Sequence, residues 1–129
     1  MTGVHSVANV FKSISDDESL GLFRSIALKD SYGESLRNKI KLTRKQYYSR
    51  MSRLMKTGLV KRKNGKHVLT AFGKVVYDAQ ITIETALNNY WKLKAIDSLE
   101  MSSDVPKEER KKLIDNLIEN HSIKEILAK

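Results

Sequence analysis

The feature that most constrains the fold is the dipeptide Asn64-Gly65, which separates two short runs of strand-forming residues at 59–63 and 66–69. Both central positions of a type I′ turn require positive φ, and Asn followed by Gly meets this requirement best. The dipeptide therefore predicts a two-stranded β-hairpin. Apolar residues elsewhere in the chain recur at helical spacing, so the hairpin is expected within an otherwise helical protein.

The segment before the hairpin has the signals of a helix from residue 43 to residue 57. Thr43 and Gln46 have the spacing of a capping box, in which both side chains bind backbone amides at the helix start. Gly58 follows the last helical residue, where a left-handed conformation commonly ends a helix. The expected buried stripe consists of Tyr47, Met51, Leu54 and Met55.

Further helices are expected upstream of this segment. Residues 4–14 carry apolar side chains at helical spacing, and Ser15 with Glu18 forms a second capping-box pattern for the next helix. A short helix over 31–38 precedes a tight turn. The order helix, short helix, turn, helix and hairpin predicts a helix-turn-helix with a β-hairpin wing.

Downstream of the hairpin, apolar residues repeat at alternating steps of four and three over a long helix from about residue 71 to residue 99. Such a helix would be about 43 Å long, which exceeds the width of a small domain. It carries two apolar rows, so one row must be covered by the C-terminal helices or by a second subunit. The residues expected at a dimer interface are Val76, Ile83, Tyr90, Trp91 and Leu93.

The chain after residue 100 predicts tail helices. Pro106 suits a first helical turn, and Ser122 with Glu125 has a further capping-box spacing. The expected fold is therefore mainly α with a small β-hairpin wing, a winged helix-turn-helix followed by a long helix and tail helices. Residues 1–70 form the expected winged helix-turn-helix domain, and residues 71–129 form the expected dimerisation region.

The positive charge is concentrated in one segment. The chain has a net charge of +9, yet residues 35–77 contain thirteen basic residues and no acidic one. The remainder has 11 basic and 15 acidic residues, a net charge of −4. A solvated surface usually mixes both signs, so this segregation favours a polyanion partner, double-stranded DNA above all, over a merely lysine-rich surface.

The expected DNA contacts divide between the helix over 43–57 and its neighbours. If its apolar stripe faces the core, the opposite surface offers Arg44, Lys45, Tyr48 and Ser49 for base edges in the major groove. Tyr48 has an alternative role as a second packing tyrosine. The residues expected on the phosphate backbone or in a minor groove are Arg37, Lys39, Lys41, Arg50, Arg53 and Lys56, with Lys61, Arg62, Lys63, Asn64, Lys66 and His67 in the wing.

The segment TRKQYYSRMSRLMKTGLVKRKNGKHVLTAFG, from Thr43 to Gly73, resembles the third helix and wing of the ArsR- and MarR-type winged-helix regulators. The lead-in FKSISDDESLGLFRSIAL is similar to the opening of ArsR-like proteins, especially small archaeal ones. The resemblance implies a homodimer on a two-fold-related operator, with the long helix at the subunit interface. It departs from the metal-sensing members because cysteine is absent and the histidines do not cluster, and any small-molecule effector is unknown.

Composition argues against catalysis, cofactors and a membrane span. The chain has no cysteine, its three histidines lie far apart, and its six glycines form no phosphate-binding loop. The dispersed acidic residues suit helix starts better than an acid–base pair. No apolar run of about 18 residues is present, and residues 1–5 do not resemble a secretory signal. We therefore expect a non-enzymatic cytoplasmic protein associated with the nucleoid.

Three functions remain open on the sequence alone. The first is a sequence-specific transcriptional regulator. The second is a nucleoid or architectural protein that binds duplex DNA with little sequence preference, because most of the positive charge suits phosphate contacts. The third is a winged helix that serves as a protein-interaction module in a transcription or RNA-processing assembly, with little affinity for free DNA.

Overall fold

The computed structural model describes residues 5–28, 37, 41–101 and 104–129. The described part is mainly helical with one antiparallel two-stranded sheet, which confirms the predicted fold class. The short helix expected over 31–38 lies outside the described residues except for Arg37, which is helical. The elements are α1 (Val7–Ser13), α2 (Asp17–Leu28), α3 (Arg44–Lys56), β1 (Val60–Lys63), β2 (Lys66–Leu69), α4 (Ala71–Asn88), α5 (Tyr90–Met101), α6 (Lys107–Leu117) and α7 (His121–Leu127).

The chain divides into two compact units, Met1–Tyr77 and Asp78–Lys129. The division falls within α4, because Val76 and Tyr77 pack on the core of the first unit. The sequence placed the boundary nearer residue 70, at the start of this helix. In the first unit, the Tyr77 ring meets the edge of the buried Phe23 ring with the ring centroids 6.0 Å apart.

The core of the first unit joins α1, α2, α3 and the hairpin. Burial of these apolar side chains is the main stabilising contribution, at roughly 1.5–3 kcal/mol for each large one. It also fixes the orientation of α3, because three residues of one α3 face are buried and most of the intervening positions are exposed. The buried members are Val10, Leu22, Phe23, Ile26, Leu42, Tyr47, Met51, Leu54, Leu59 and Val60.

Helix α3 begins with the predicted capping box. The Thr43 hydroxyl accepts a hydrogen bond from the Gln46 amide at 3.1 Å, and the Gln46 side-chain oxygen accepts one from the Thr43 amide at 3.0 Å. Two amides at the helix start are thereby satisfied. Gly58 ends the helix with φ +83°, as its position predicts.

The predicted capping box at the start of α2 is displaced by one residue. Asp16, rather than Ser15, accepts the hydrogen bond from the Ser19 amide, at 2.7 Å. Ser15 belongs to the preceding helix end, where its hydroxyl donates to the Lys12 carbonyl at 3.0 Å. Adjacent Ser and Asp residues can both act as caps, and the end of α1 decides between them.

The hairpin has the predicted turn. Asn64 and Gly65 have φ values of +52° and +77°, as a type I′ turn requires. Val60 pairs with Leu69 and Lys63 pairs with Lys66 across the two strands. Thr70 closes the base of the hairpin, because its backbone amide donates to the carbonyl of Leu59, the residue before β1, at 3.1 Å.

The prediction of a single long helix over 71–99 is wrong in one respect, because the structure divides this stretch at Asn89 into α4 and α5. The Asn89 side-chain amide donates to the Thr85 carbonyl at 2.9 Å. The Asn89 backbone amide is shared between the Thr85 and Ala86 carbonyls, both at 3.1 Å. Asparagine side chains compete for backbone hydrogen bonds in this way, which accounts for the break.

The second unit has its own small core of Ile96, Ile118 and Ile123. Pro106 lies at the N-cap of α6 rather than within its first turn. The capping box predicted at Ser122 is also displaced, because the Asn120 side chain accepts from the Ile123 amide at 3.0 Å and α7 begins at His121. Among the helices of the described ranges, none combines the length and apolar character needed to cross a bilayer.

Candidate nucleic-acid interface

The two units differ in charge. The first unit, through Tyr77, contains 16 basic and five acidic residues, a net charge of +11. The second contains eight basic and ten acidic residues, a net charge of −2. The net positive charge that would attract a polyanion therefore lies in the first unit.

Helix α3 presents a basic face to solvent. Tyr47, Met51 and Leu54 are buried, and the side chains between them are exposed except for the half-buried Arg50. Lys45, Ser49, Ser52 and Lys56 follow one another at steps of three and four residues, so they lie along one side of the helix. The open face of α3 consists of Arg44, Lys45, Tyr48, Ser49, Ser52, Arg53 and Lys56.

The four residues expected at base edges all lie on this open face. Tyr48 is 59% exposed, which favours a surface role over core packing. Its ring meets the buried Tyr47 ring edge-on, with the centroids 5.3 Å apart, so the phenol is held by a fixed neighbour. Ser52 was not singled out from the sequence, although its spacing from Lys45 and Ser49 places it on the same side of the helix.

The turn before α3 uses one of the expected contact residues structurally. The Arg37 guanidinium donates to the Leu42 carbonyl at 3.3 Å, and the Leu42 amide donates to the Arg37 carbonyl at 3.2 Å. Arg37 is half-buried and braces the turn. Lys41 is exposed with φ +61°, and Lys39 lies outside the described residues.

Arg50 is also directed away from the open face. Its Nε lies 3.5 Å from Asp16 Oδ1, and its Nη2 lies 4.0 Å from Glu18 Oε2, at the start of α2. The hydrogen bond from the Ser19 amide lowers the pKa of Asp16, and the Ser19 hydroxyl and Arg50 lower it further against the opposing effect of partial burial. Arg50 therefore ties α3 to α2, whereas the sequence assigned it to phosphate.

We predict that Arg50→Met and Arg53→Met, three residues apart on α3, change different properties of the protein, the first its stability and the second its DNA binding. Arg50→Met lowers the free energy of unfolding by about 1 kcal/mol, because it removes a partly exposed ion pair. Arg53→Met changes that free energy by less than about 0.5 kcal/mol but weakens DNA binding. Urea unfolding and DNA titration of both variants test this. Equal stability of the two variants would contradict the role assigned to Arg50.

The wing, comprising β1, β2 and the turn between them, has two different faces. Side chains of paired residues in an antiparallel hairpin point to the same side, so the register separates the wing residues cleanly. One face carries Lys61, Lys63, Lys66 and Val68, and the other carries Val60, Arg62, His67 and Leu69. The three lysines of the first face are exposed, as are Arg62 and Asn64.

His67 lies opposite Arg62 and is half-buried. Burial, followed by the positive charge of Arg62, lowers the pKa of His67 below its usual value. The imidazole is therefore neutral at pH 7 and contributes a polar edge beside Arg62 rather than a further positive charge.

The lowered pKa of His67 predicts a pH dependence of stability. The unfolded chain binds a proton at His67 more readily than the folded chain, so protonation favours unfolding as the pH falls through the unfolded pKa toward the folded one. Between about pH 7.5 and about pH 5.5, the wild type should lose more unfolding free energy than His67→Gln. Identical losses in the two proteins would show that the pKa of His67 is not lowered by folding.

The candidate dimer residues are divided by the structure. Val76 packs on the core of the first unit, and Leu93 packs on the core of the second. Ile83 is 56% exposed and Trp91 is 78% exposed, with Tyr90 also exposed. Leu87, midway between Ile83 and Trp91, is 66% exposed and extends this apolar face of the second unit. Only part of the predicted set therefore lies at an open surface.

No group of three or more potential metal ligands occurs among the residues that the structure describes. Comparison of the chain with family models, with curated proteins and with solved structures gave no significant match.

Proposed function

We propose that this protein is a DNA-binding transcriptional regulator of the winged-helix type, related to the ArsR- and MarR-like regulators. The observation that carries the proposal is the division of α3 into a buried side and a basic exposed side, directly before a hairpin with three lysines on one face. A recognition helix in the major groove requires the first feature, and a wing on the phosphate backbone or in a minor groove requires the second.

The dimensions of α3 suit this role. Thirteen residues give a helix of about 20 Å, whereas the major groove is about 12 Å wide. The N-terminal turns can therefore enter the groove, with Arg44, Lys45 and Ser49 at base edges. Arg53 and Lys56, at the other end of the open face, then lie near the phosphates.

We further propose that the protein acts as a homodimer on the nucleoid. The face formed by Ile83, Leu87, Tyr90 and Trp91 leaves large apolar side chains in water, and a second copy of the same face would cover them. Two copies bring two α3 helices to one operator, whose half-sites are then related by two-fold symmetry. Sedimentation should show a dimer at micromolar concentration, and a monomer there would contradict this part of the proposal.

Selection of bound sequences from a random DNA pool, followed by competition with unrelated DNA, tests the regulator proposal. A regulator should prefer its selected site over bulk DNA by at least about 10³ at physiological salt. Equal affinity for both DNAs would support an architectural protein instead. The lysines of the wing favour an architectural protein, because lysine is a compact point charge suited to phosphate contact. Negligible affinity for both would favour a protein-interaction module.

A further inference from the structure

We propose that the second unit contains a binding site for a small amphipathic anion, a molecule with one carboxylate, phosphate or sulfonate group on an apolar body. The site is a cavity of about 490 Å³ lined by residues of α5, α6 and α7 and by the last two residues of the chain. Small-molecule sites in proteins commonly span about 300–1,000 Å³. This proposal does not depend on DNA binding by the first unit.

The cavity lining combines apolar and charged side chains. Ile114 and Leu127 both lie against the core formed by Ile96, Ile118 and Ile123, and both also line the cavity. They provide an apolar wall that is held in place by the core of the unit. An aromatic ring or a short alkyl chain would remove apolar surface from water by packing on this wall.

Positive charge in the second unit is concentrated at the cavity. The unit has eight basic and ten acidic residues in all. Five of the eight basic residues line the cavity, but only three of the ten acidic ones do. The cavity is therefore locally positive within a unit of net negative charge, which favours an anion over a cation or a neutral molecule. The basic lining residues are Lys107, Arg110, Lys111, Lys124 and Lys129.

Arg110 is the one arginine of the second unit, and it lines the cavity. Its Nε is buried and has no hydrogen-bond acceptor among the described residues. A guanidinium group binds a carboxylate or phosphate group through charge-assisted hydrogen bonds, which are stronger than neutral ones. The surplus of basic side chains, Arg110 among them, and the apolar wall occur in the same cavity, and an amphipathic anion matches both.

The test uses the full chain and the fluorescent probe anilinonaphthalene sulfonate, whose fused rings carry one sulfonate. Saturable binding to the folded protein is expected. Arg110→Met should weaken it by about tenfold, because it removes a charged hydrogen-bond donor. The uncharged analogue phenylnaphthylamine has the same rings without the sulfonate, so its affinity should be lower and should not change with Arg110→Met.

Lys111 and Lys112 provide a matched pair of variants in case Arg110→Met fails to fold. They are adjacent on α6 and carry the same charge, but only Lys111 lines the cavity. Lys111→Gln should lower the affinity for the sulfonate probe by about threefold, and Lys112→Gln should leave this affinity unchanged. Equal effects of the two lysine variants, equal binding of the neutral probe, or no saturable binding would each overturn the proposal.

Discussion

Gly73→Ala should lower the free energy of unfolding by about 3 kcal/mol, although it adds only one methyl group. A Cβ at this position would lie 2.0 Å from the Leu59 carbonyl oxygen and 3.0 Å from its carbonyl carbon. Both atoms belong to the backbone, so no side-chain rotation can relieve the overlap. The first turn of α4 approaches the hairpin this closely only because residue 73 has no side chain.

The Leu59 backbone cannot move away without loss of other contacts. Its carbonyl accepts the hydrogen bond from the Thr70 amide at 3.1 Å, and its side chain is completely buried. The Thr70 hydroxyl in turn accepts from the Gly73 amide at 2.8 Å, which caps α4. A shift at Leu59 would therefore disturb the hairpin base, the helix cap and the core together.

Gly21→Ala is the matched control. Gly21 lies within α2, and apart from its chain neighbours and the backbone of its own helix no heavy atom lies within 4 Å of the position its Cβ would occupy. The same substitution should there raise the unfolding free energy by about 0.5–1 kcal/mol, because Ala loses less conformational entropy in a helix than Gly. Urea unfolding measures both variants. Equal free-energy changes would contradict the close packing at Gly73.

Simultaneous replacement of Lys61, Lys63 and Lys66 with Ala should weaken binding to every duplex by on the order of a hundredfold at moderate salt. The three lysines share one exposed face of the wing, and each is expected to neutralise one phosphate. Each phosphate contact contributes about 0.9 to the slope of log K against log salt, so the slope should fall by nearly three units. The loss should be alike for selected and random DNA.

Arg44→Ala should show the contrasting pattern. Arg44 is exposed at the N-terminus of α3, and a guanidinium there can form a bidentate contact with guanine. Its removal should weaken the free energy of binding by about 1–3 kcal/mol for the selected site and by much less for random DNA. Equal losses on both DNAs would place Arg44 on phosphate instead.

Three exposed lysines of the second unit, Lys92, Lys94 and Lys112, provide the control for total charge. Their joint replacement with Ala removes as much charge as the wing variant. It should leave the salt slope nearly unchanged, because they lie outside the proposed interface. A comparable fall in slope would mean that binding responds to the overall charge of the protein rather than to the wing.

Local signals in the sequence predicted the elements that carry the candidate site. The capping box of Thr43 and Gln46, the positive φ at Gly58 and the Asn64-Gly65 turn each depend on a few neighbouring residues, and all three are present in the structure. The buried side of α3 followed from helical spacing for Tyr47, Met51 and Leu54, but the expectation for Met55 was wrong, because Met55 is 38% exposed. The exposed side of α3 could therefore be predicted as well, without any knowledge of the rest of the fold.

Features that depend on distant contacts were not predictable in this way. Arg50 had the spacing of a surface residue, and only the fold brings Asp16 beside it. Val76 and Leu93 continued an apolar row, yet each is used by the core of its own unit. The displaced caps at Asp16 and Asn120 have a related cause, because several side chains nearby could cap and the packing of the preceding segment selected one.

The central claim is that the open face of α3 and the wing form one DNA-binding surface. Titration of the isotope-labelled protein with its selected duplex, followed through backbone amide resonances, tests it directly. The largest shifts should fall at Lys45, Ser49 and Arg53 and at residues 61–67. Shifts concentrated on other surfaces, with these resonances unchanged at saturating DNA, would contradict it.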